Sequence, residues 1–156
     1  MARLADQSGK TTNVGRDYPD RPLVGVGAVV FDGTDLLLIK RAKPPRVGQW
    51  SLPGGAQELG ETVDAAVRRE VKEEAGIGIG PTRLVDIVDL IDRDPSGRVS
   101  VHYTLIDVTA PALSRDLSAG SDAMDARWFA PDTWTDLDLW DETVRVIRLA
   151  ERLWKG

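Results

Sequence analysis

The chain has 156 residues, 42% of them hydrophobic and 29% charged, with a net charge of −5 and no cysteine. That size suits one domain with a real core, and the missing thiols exclude disulfides, thiolate metal sites and a cysteine nucleophile. The acidic balance argues against nucleic-acid binding, and no apolar run suits a membrane span or a signal peptide, so a cytoplasmic protein with no membrane partner is expected.

Residues 1–22 (MARLADQSGKTTNVGRDYPDRP) lack apolar periodicity and close on Pro19 and Pro22. They predict a mobile arm ahead of a single domain over 23–156; an arm that touches substrate or a second subunit is the other option. Residues 23–31 (LVGVGAVVF) are β-branched and bounded by turn residues, which predicts a buried strand. The turn DGTD and the run LLLIK over 36–40 complete a hairpin. A loop over 43–49 follows, then a short strand at 50–52 that Pro53-Gly54-Gly55 should stop. The diglycine would let backbone approach a ligand closely. Arg41 and Arg46 flank this stretch; guanidinium suits phosphate, so they are candidate substrate-binding residues, with solvated loop charges as the alternative.

A helix is predicted after Thr62, a suitable N-cap, with Asp64 in its first turn and Gly76 just past its end. Val63, Val67 and Val71 form its apolar stripe, while Arg68 and Lys72 are expected in solvent. Glu70, Glu73 and Glu74 fall at relative angles of about 0°, 300° and 40°. Three like charges on one face repel one another and weaken the helix. A divalent cation is the usual compensation, since hard cations take oxygen ligands and often a substrate phosphate as well. The bland alternative is a solvated acidic face.

Residues 84–92 (LVDIVDLID) repeat apolar pairs every three positions, which fits neither strand nor helix cleanly. Asp94-Pro95-Ser96-Gly97 has the residues of a type I turn. Beyond it Val99, Val101, Tyr103 and Leu105 alternate, so two antiparallel strands are predicted. Residues 110–125 read as a long loop of the kind that is often functional. A short strand at 126–129 and a closing amphipathic helix at 141–154 follow. That helix should be capped by Asp141 and pack Val144, Ile147 and Leu153 or Trp154 inward, with Trp128, Trp134, Trp140 and Trp154 filling the core around it. His102, the only histidine, reads as a polar strand-face residue rather than a catalytic one. The mixture predicts an α/β class fold: a sandwich with a mixed β-sheet and helices on both faces.

The stretch 55–77 resembles the signature of the Nudix hydrolases. Gly55, Glu61, Arg69, Glu70, Val71, Glu73, Glu74, Gly76 and Ile77 occupy its fixed positions. The approach WSLPGG and the flanking elements also look like the family, whose α/β/α sandwich residues 23–154 would form. The resemblance implies hydrolysis of the pyrophosphate bond of a nucleoside diphosphate linked to another group, with Mg²⁺ or Mn²⁺ as cofactor. Carried over by position, Glu70 and Glu74 would be the main metal ligands, Glu73 a further ligand or the base, and the Gly54 carbonyl another ligand. Arg69 would orient the carboxylates and Glu61 would support the loop or metal-bound waters. Family members often draw another acid from the loop before the last strand; among Asp116, Asp122 and Asp125 the favoured residue is Asp122.

The branch it looks most like is the small ADP-ribose pyrophosphatases, which would make ADP-ribose the substrate and AMP and ribose 5-phosphate the products. Pro95 lies near, though not at, the proline associated with that group. Two other readings stay open: an (oxidised) nucleoside triphosphate giving a monophosphate and pyrophosphate, and a non-catalytic nucleotide-binding module. Homodimerisation is a further option that the resemblance carries.

Overall fold

The computed structural model describes residues 16–44 and 46–155. Strand β1 (Leu23–Asp32) lies inside a seven-stranded mixed sheet and is covered on both faces. Its alternation divides the core. Val26, Ala28 and Val30 join one cluster with Ala66, Val67, Val71 and Ala75 of helix α1 (Val63–Ala75). Val29 and Phe31 join a second with Val146, Ile147 and Ala150 of helix α2 (Asp141–Lys155). The result is an α/β/α sandwich with one helix on each face, as the sequence predicts.

β1 turns through Gly33-Thr34 into β2 (Asp35–Arg41), with Asp32 opposite Asp35. The sheet runs β3-β2-β1-β6-β5, where β3 is Trp50–Ser51, β5 is Arg83–Arg93 and β6 is Val99–Pro111. β7 (Ala123–Phe129) pairs with β2, and β4 (Gly54–Ala56) pairs with β1. Only the β1–β6 pairing among these is parallel.

Several expectations need correction. The segment Gly54–Ala56 does not simply stop a strand; it pairs antiparallel with β1, placing Gly54 opposite Gly27 and Gly55 opposite Val26. β6 runs on to Pro111 and β7 begins at Ala123, so the expected long loop shrinks to 112–122. The odd apolar spacing in 84–92 comes from a shift of register between Leu84 and Asp86. One extra residue there resets which side chains face the core. Val85 and Val88 pack inward and Leu84, Ile87 and Ile91 are left exposed.

In α2 the fully buried residues are Val146, Ile147 and Ala150, whereas Val144 packs only partly. Asp141 lies in its first turn, and the Val144 amide donates to the Trp140 carbonyl, so Trp140 takes the capping position. Only Trp134 of the four tryptophans is fully buried. Trp128 packs on the α1 side, and Trp154 is 39% exposed beside Phe31, at 5.7 Å between ring centres. Arg68 is not simply solvated: it donates to the carbonyls of Ile79 (2.7 Å) and Gly80 (3.1 Å), tying α1 to the following turn.

Residues 1–15 of the expected mobile arm lie outside the described residues. At Tyr18 the chain is anchored. Its amide donates to the Ser100 carbonyl (2.8 Å), its hydroxyl donates to Asp94 (2.8 Å), and Arg98 sits over its ring. No helix among the described residues is long and apolar enough to cross a membrane.

The helix–sheet packing predicts a stability contrast. Ile147→Ala, at a fully buried position, should lower the unfolding free energy by about 2–5 kcal/mol. Leu59→Ala, at a position 103% exposed, should change it by less than about 0.5 kcal/mol. Urea titrations of the two variants check this, and similar losses in both would contradict the packing.

Candidate active site

Both ends of α1 are fixed by local chemistry. The Thr62 hydroxyl accepts from the Ala65 amide at 3.0 Å, and Gly76 takes φ 76° with its amide on the Lys72 carbonyl. An N-cap of this kind contributes about 1 kcal/mol. With the helix pinned, its phase decides where each acid points. Glu70 (9% exposed) and Glu74 (6% exposed) are turned under the sheet edge, one helical turn apart. Glu73 points outward, with its side chain 44% exposed.

The space for the buried pair exists because β4 carries glycine. A Cβ on Gly55 would lie 2.5 Å from Glu70 Oε1, well inside contact distance. The Gly54 amide donates to Glu74 Oε2 at 3.1 Å. The Gly54 amide thus braces the Glu74 carboxylate against β4.

Arg69 organises the cluster. Its Nε and Nη2 bind the two oxygens of Glu61 at 2.7 and 2.8 Å, a bidentate pair. Its Nη1 reaches Glu70 at 2.8 Å and Glu73 at 3.3 Å, and its Nη2 also donates to the Ala56 carbonyl at 3.0 Å. One guanidinium therefore joins three acids to β4. Paired this way, Glu61 has its pKa lowered to about 2, chiefly by Arg69, and Arg69 has its own raised, chiefly by Glu61. Glu74 is driven the other way: burial raises its pKa, with the charge of Glu70 adding to it, while the Gly54 amide opposes.

Two carboxyls forced together in a buried place, with Arg69 paired to only one of them, Glu70, make an oxygen donor set whose charge is only partly offset. That set, beside glycine backbone, fits a hard divalent cation. Among the described residues no three acidic or histidine side chains converge as a ready cage; Glu73, the third acid expected there, is turned towards Arg69.

A cleft of about 210 Å³ opens from Gly54, Gly55 and Ala56 across the α2 side of the sheet. Arg41 and Arg46 both line it, as do Arg16, Trp50, Tyr103 and Trp140. Arg41 is half-buried; burial lowers its pKa, and the charge of Glu74 is the main influence that opposes this. Arg46 adopts φ 64° and lies over the Trp140 ring, 5.9 Å from its centre. The loop between them is pinched shut where the Arg41 amide donates to the Gln49 carbonyl (2.9 Å) and the Gly48 amide to that of Arg41 (2.7 Å).

The NUDIX domain family matches residues 21–149. The chain belongs to that family. An ADP-ribose pyrophosphatase of Methanocaldococcus jannaschii is 40% identical over 108 residues, 69% of this NUDIX chain and 62% of the relative. An 8-oxo-dGDP phosphatase, NUDT18, of Danio rerio is 32% identical over 105 residues, 67% of this chain and 31% of the relative. The chain thus spans less than two thirds of either protein. The crystal structure of a MutT NUDIX hydrolase from Burkholderia pseudomallei superposes with a TM-score of 0.70 at 33% identity, covering 83% of this chain and 98% of the other.

Of the residues expected from sequence, this NUDIX fold brings Glu70, Glu74, Arg69 and Gly54 together, with Glu73 on the outer side of Arg69. Arg41 and Arg46 fall in the adjoining cleft. Asp122 does not join the glutamates; it forms an ion pair with Lys43 at 2.7 Å. Its loop reaches α1 by backbone, the Ser118 amide donating to Ala75 and that of Gly120 to Glu74. Sequence reading missed Asp107, a buried carboxylate on the cleft floor. Its signal was a charge on an inward-facing position of β6, between Leu105 and Thr109.

The buried pair predicts an inverted pH dependence. A carboxyl whose pKa is raised on folding contributes stability that is complete below its unfolded value, near 4.5, and lost as pH rises through the folded value. In divalent-free buffer, Glu74→Gln should therefore gain stability relative to the parent chain between pH 4.5 and 8. Thermal melts across that range check it; a gap that narrows as pH rises would refute the assignment.

Proposed function

We propose that the chain is a divalent-cation-dependent pyrophosphohydrolase that cleaves a nucleoside diphosphate linked to a second group, with ADP-ribose as the substrate and AMP and ribose 5-phosphate as products. The observation that carries this is the buried Glu70–Glu74 pair, set against the glycines of β4 and held by Arg69. Two acids buried in that place argue against the solvated-face reading, and turnover separates the enzyme from a non-catalytic module. The 40% identity to a protein named as an ADP-ribose pyrophosphatase supports the substrate.

In this proposal Glu70 and Glu74 hold Mg²⁺ or Mn²⁺, with the backbone at Gly54 as a further oxygen donor. Bound there, a divalent cation would offset negative charge on phosphate oxygens and lower the pKa of a bound water. The protein's own groups do the rest. Gly55 leaves backbone beside Glu70 open to a diphosphate, while Gly54 lets β4 close on β1. Arg41 and Arg46 set two positive charges along the same cleft, where guanidinium forks match phosphate oxygens. Arg69 fixes the direction of Glu70 and does not itself face the cleft; it is a positioning residue. Glu73, exposed and held only at 3.3 Å, is the acid best placed to take a proton from an attacking water. Asp122 carries no step, because Lys43 neutralises it.

The second reading, hydrolysis of an oxidised nucleotide, rests on the likeness to the NUDT18 protein. The two separate by product: ribose 5-phosphate against inorganic phosphate or pyrophosphate. A cytoplasmic location and a homodimer belong to the proposal only as expectations from composition and family likeness.

With ADP-ribose and Mg²⁺, chromatography should show equal amounts of AMP and ribose 5-phosphate, and no turnover without a divalent cation. Glu74→Gln should lower kcat at least ~100-fold with the fold intact. Arg69→Lys, which supports a ligand without being one, should cost about 10–100-fold. Unchanged kcat in Glu74→Gln would sink the proposal.

A further inference from the structure

Asp107 is the one carboxylate of the cleft that is both deeply buried, at 7% exposure, and outside every hydrogen bond and ion pair of the described residues. The other acids lining the cleft are accounted for differently: Glu142 pairs with Arg145 at 2.7 Å, while Asp17 and Asp92 stand towards the rim beside the anchored Tyr18 segment. No donor among the described residues meets this carboxylate, and its oxygens are not sealed off, so they stay open to a ligand in the cleft. Across the strand, Asp86 is already taken by Arg145 at 2.7 Å, and on the other side lies Gly27, whose lack of a side chain makes the room that the Asp107 carboxylate fills.

The position is informative. Gly54, Gly27 and Asp107 form one row across three strands, Gly27 facing Gly54 on β4 and Asp107 on β6. Two strand spacings put Asp107 roughly 10 Å from the diglycine where the diphosphate is proposed to lie. That is the distance at which a nucleoside, rather than its phosphates, meets the protein. Leu52, Val88 and Leu105 line the cleft beside this row, and Trp50 lines it further along. Apolar walls beside a buried polar group suit a base, with two apolar faces and a polar edge. Ribose, with several hydroxyls, would need several partners.

We propose that Asp107 reads the base: its carboxylate accepts a hydrogen bond from the exocyclic amino group of adenine, and the cleft favours bases that carry such a donor over bases that lack it. This rests on the ADP-ribose reading for the choice of adenine, but the contact is tested by binding alone. The structural consequence is specific. Adenine's only donor on its pairing edge is the amino group, so a base lacking it leaves Asp107 buried and unpaired. A hydrogen bond to a charged group contributes about 1.5–3 kcal/mol, which corresponds to roughly 10–100-fold in affinity.

The experiment is calorimetric titration of the intact chain with AMP, with the 5′-monophosphate of purine riboside, which lacks only the amino group, and with GMP. AMP should bind at least tenfold more tightly than the purine analogue. In Asp107→Ala the AMP preference over the analogue should fall to within about threefold, with a thermal melt reporting that the variant is folded. Equal binding of AMP and the analogue by the parent chain, no AMP binding at millimolar concentration, or an unchanged preference in Asp107→Ala would each overturn the proposal. Tighter binding of GMP would overturn the adenine assignment. The parent-chain comparison decides the matter even if the variant does not fold. Loss of ADP-ribose hydrolysis with the AMP preference intact would remove the catalytic reading alone; hydrolysis without any amino-group preference would remove this one alone.

Discussion

Glu70 and Glu74 sit one helical turn apart, both almost wholly buried, and their charges oppose one another. With both ionised the pair is costly, and in the metal-free protein burial and the charge of Glu70 push Glu74 towards its protonated form. The surrounding structure supplies part of the offset. Arg69 reaches Glu70, the Gly54 amide reaches Glu74, and Glu61 holds Arg69 by two hydrogen bonds so that its guanidinium cannot turn away. What is left over is a demand for positive charge, directed at the place where β4 exposes glycine backbone.

The sandwich gives that demand an address. β1 is shared by both halves of the molecule: one face packs under α1, the carboxylate helix, and the other under α2, beside the cleft. β4 crosses at the edge of β1 and takes part in both, since Gly55 abuts Glu70 while Gly54 and Gly55 line the cleft. The chemistry proposed for the α1 side and the recognition proposed for the α2 side would thereby be joined through three residues of backbone. Arg41 registers the join directly, lying in the cleft while feeling the charge of Glu74.

The helix and its acids were legible in the sequence because they depend on local rules. Thr62, Gly76 and the spacing of Val67 and Val71 define the start, end and buried face without reference to the rest of the chain. The division of the acids was not legible. Glu70, Glu73 and Glu74 share an arc of about 100°, and only the edge of the sheet, which β4 creates, decides that Glu73 stays in solvent. β4 itself is a tertiary event: nothing in Gly54-Gly55-Ala56 favours a strand, and it forms because β1 offers it a partner. The register shift near Leu84 hid the period of β5 in the same way. Asp107 was overlooked because a single acid in a strand carries no pattern; its meaning comes from Gly27 on one side and a committed Asp86 on the other.

The central claim is that Glu70 and Glu74 are held together to receive a divalent cation. Titrating the metal-free protein with Mn²⁺, followed by the loss of the free-ion electron paramagnetic resonance signal, measures this without substrate or turnover. The account predicts saturable binding by the parent chain, and binding weakened at least tenfold in Glu70→Gln and in Glu74→Gln while Asp122→Asn binds as the parent does. Equal binding by all four proteins would contradict it.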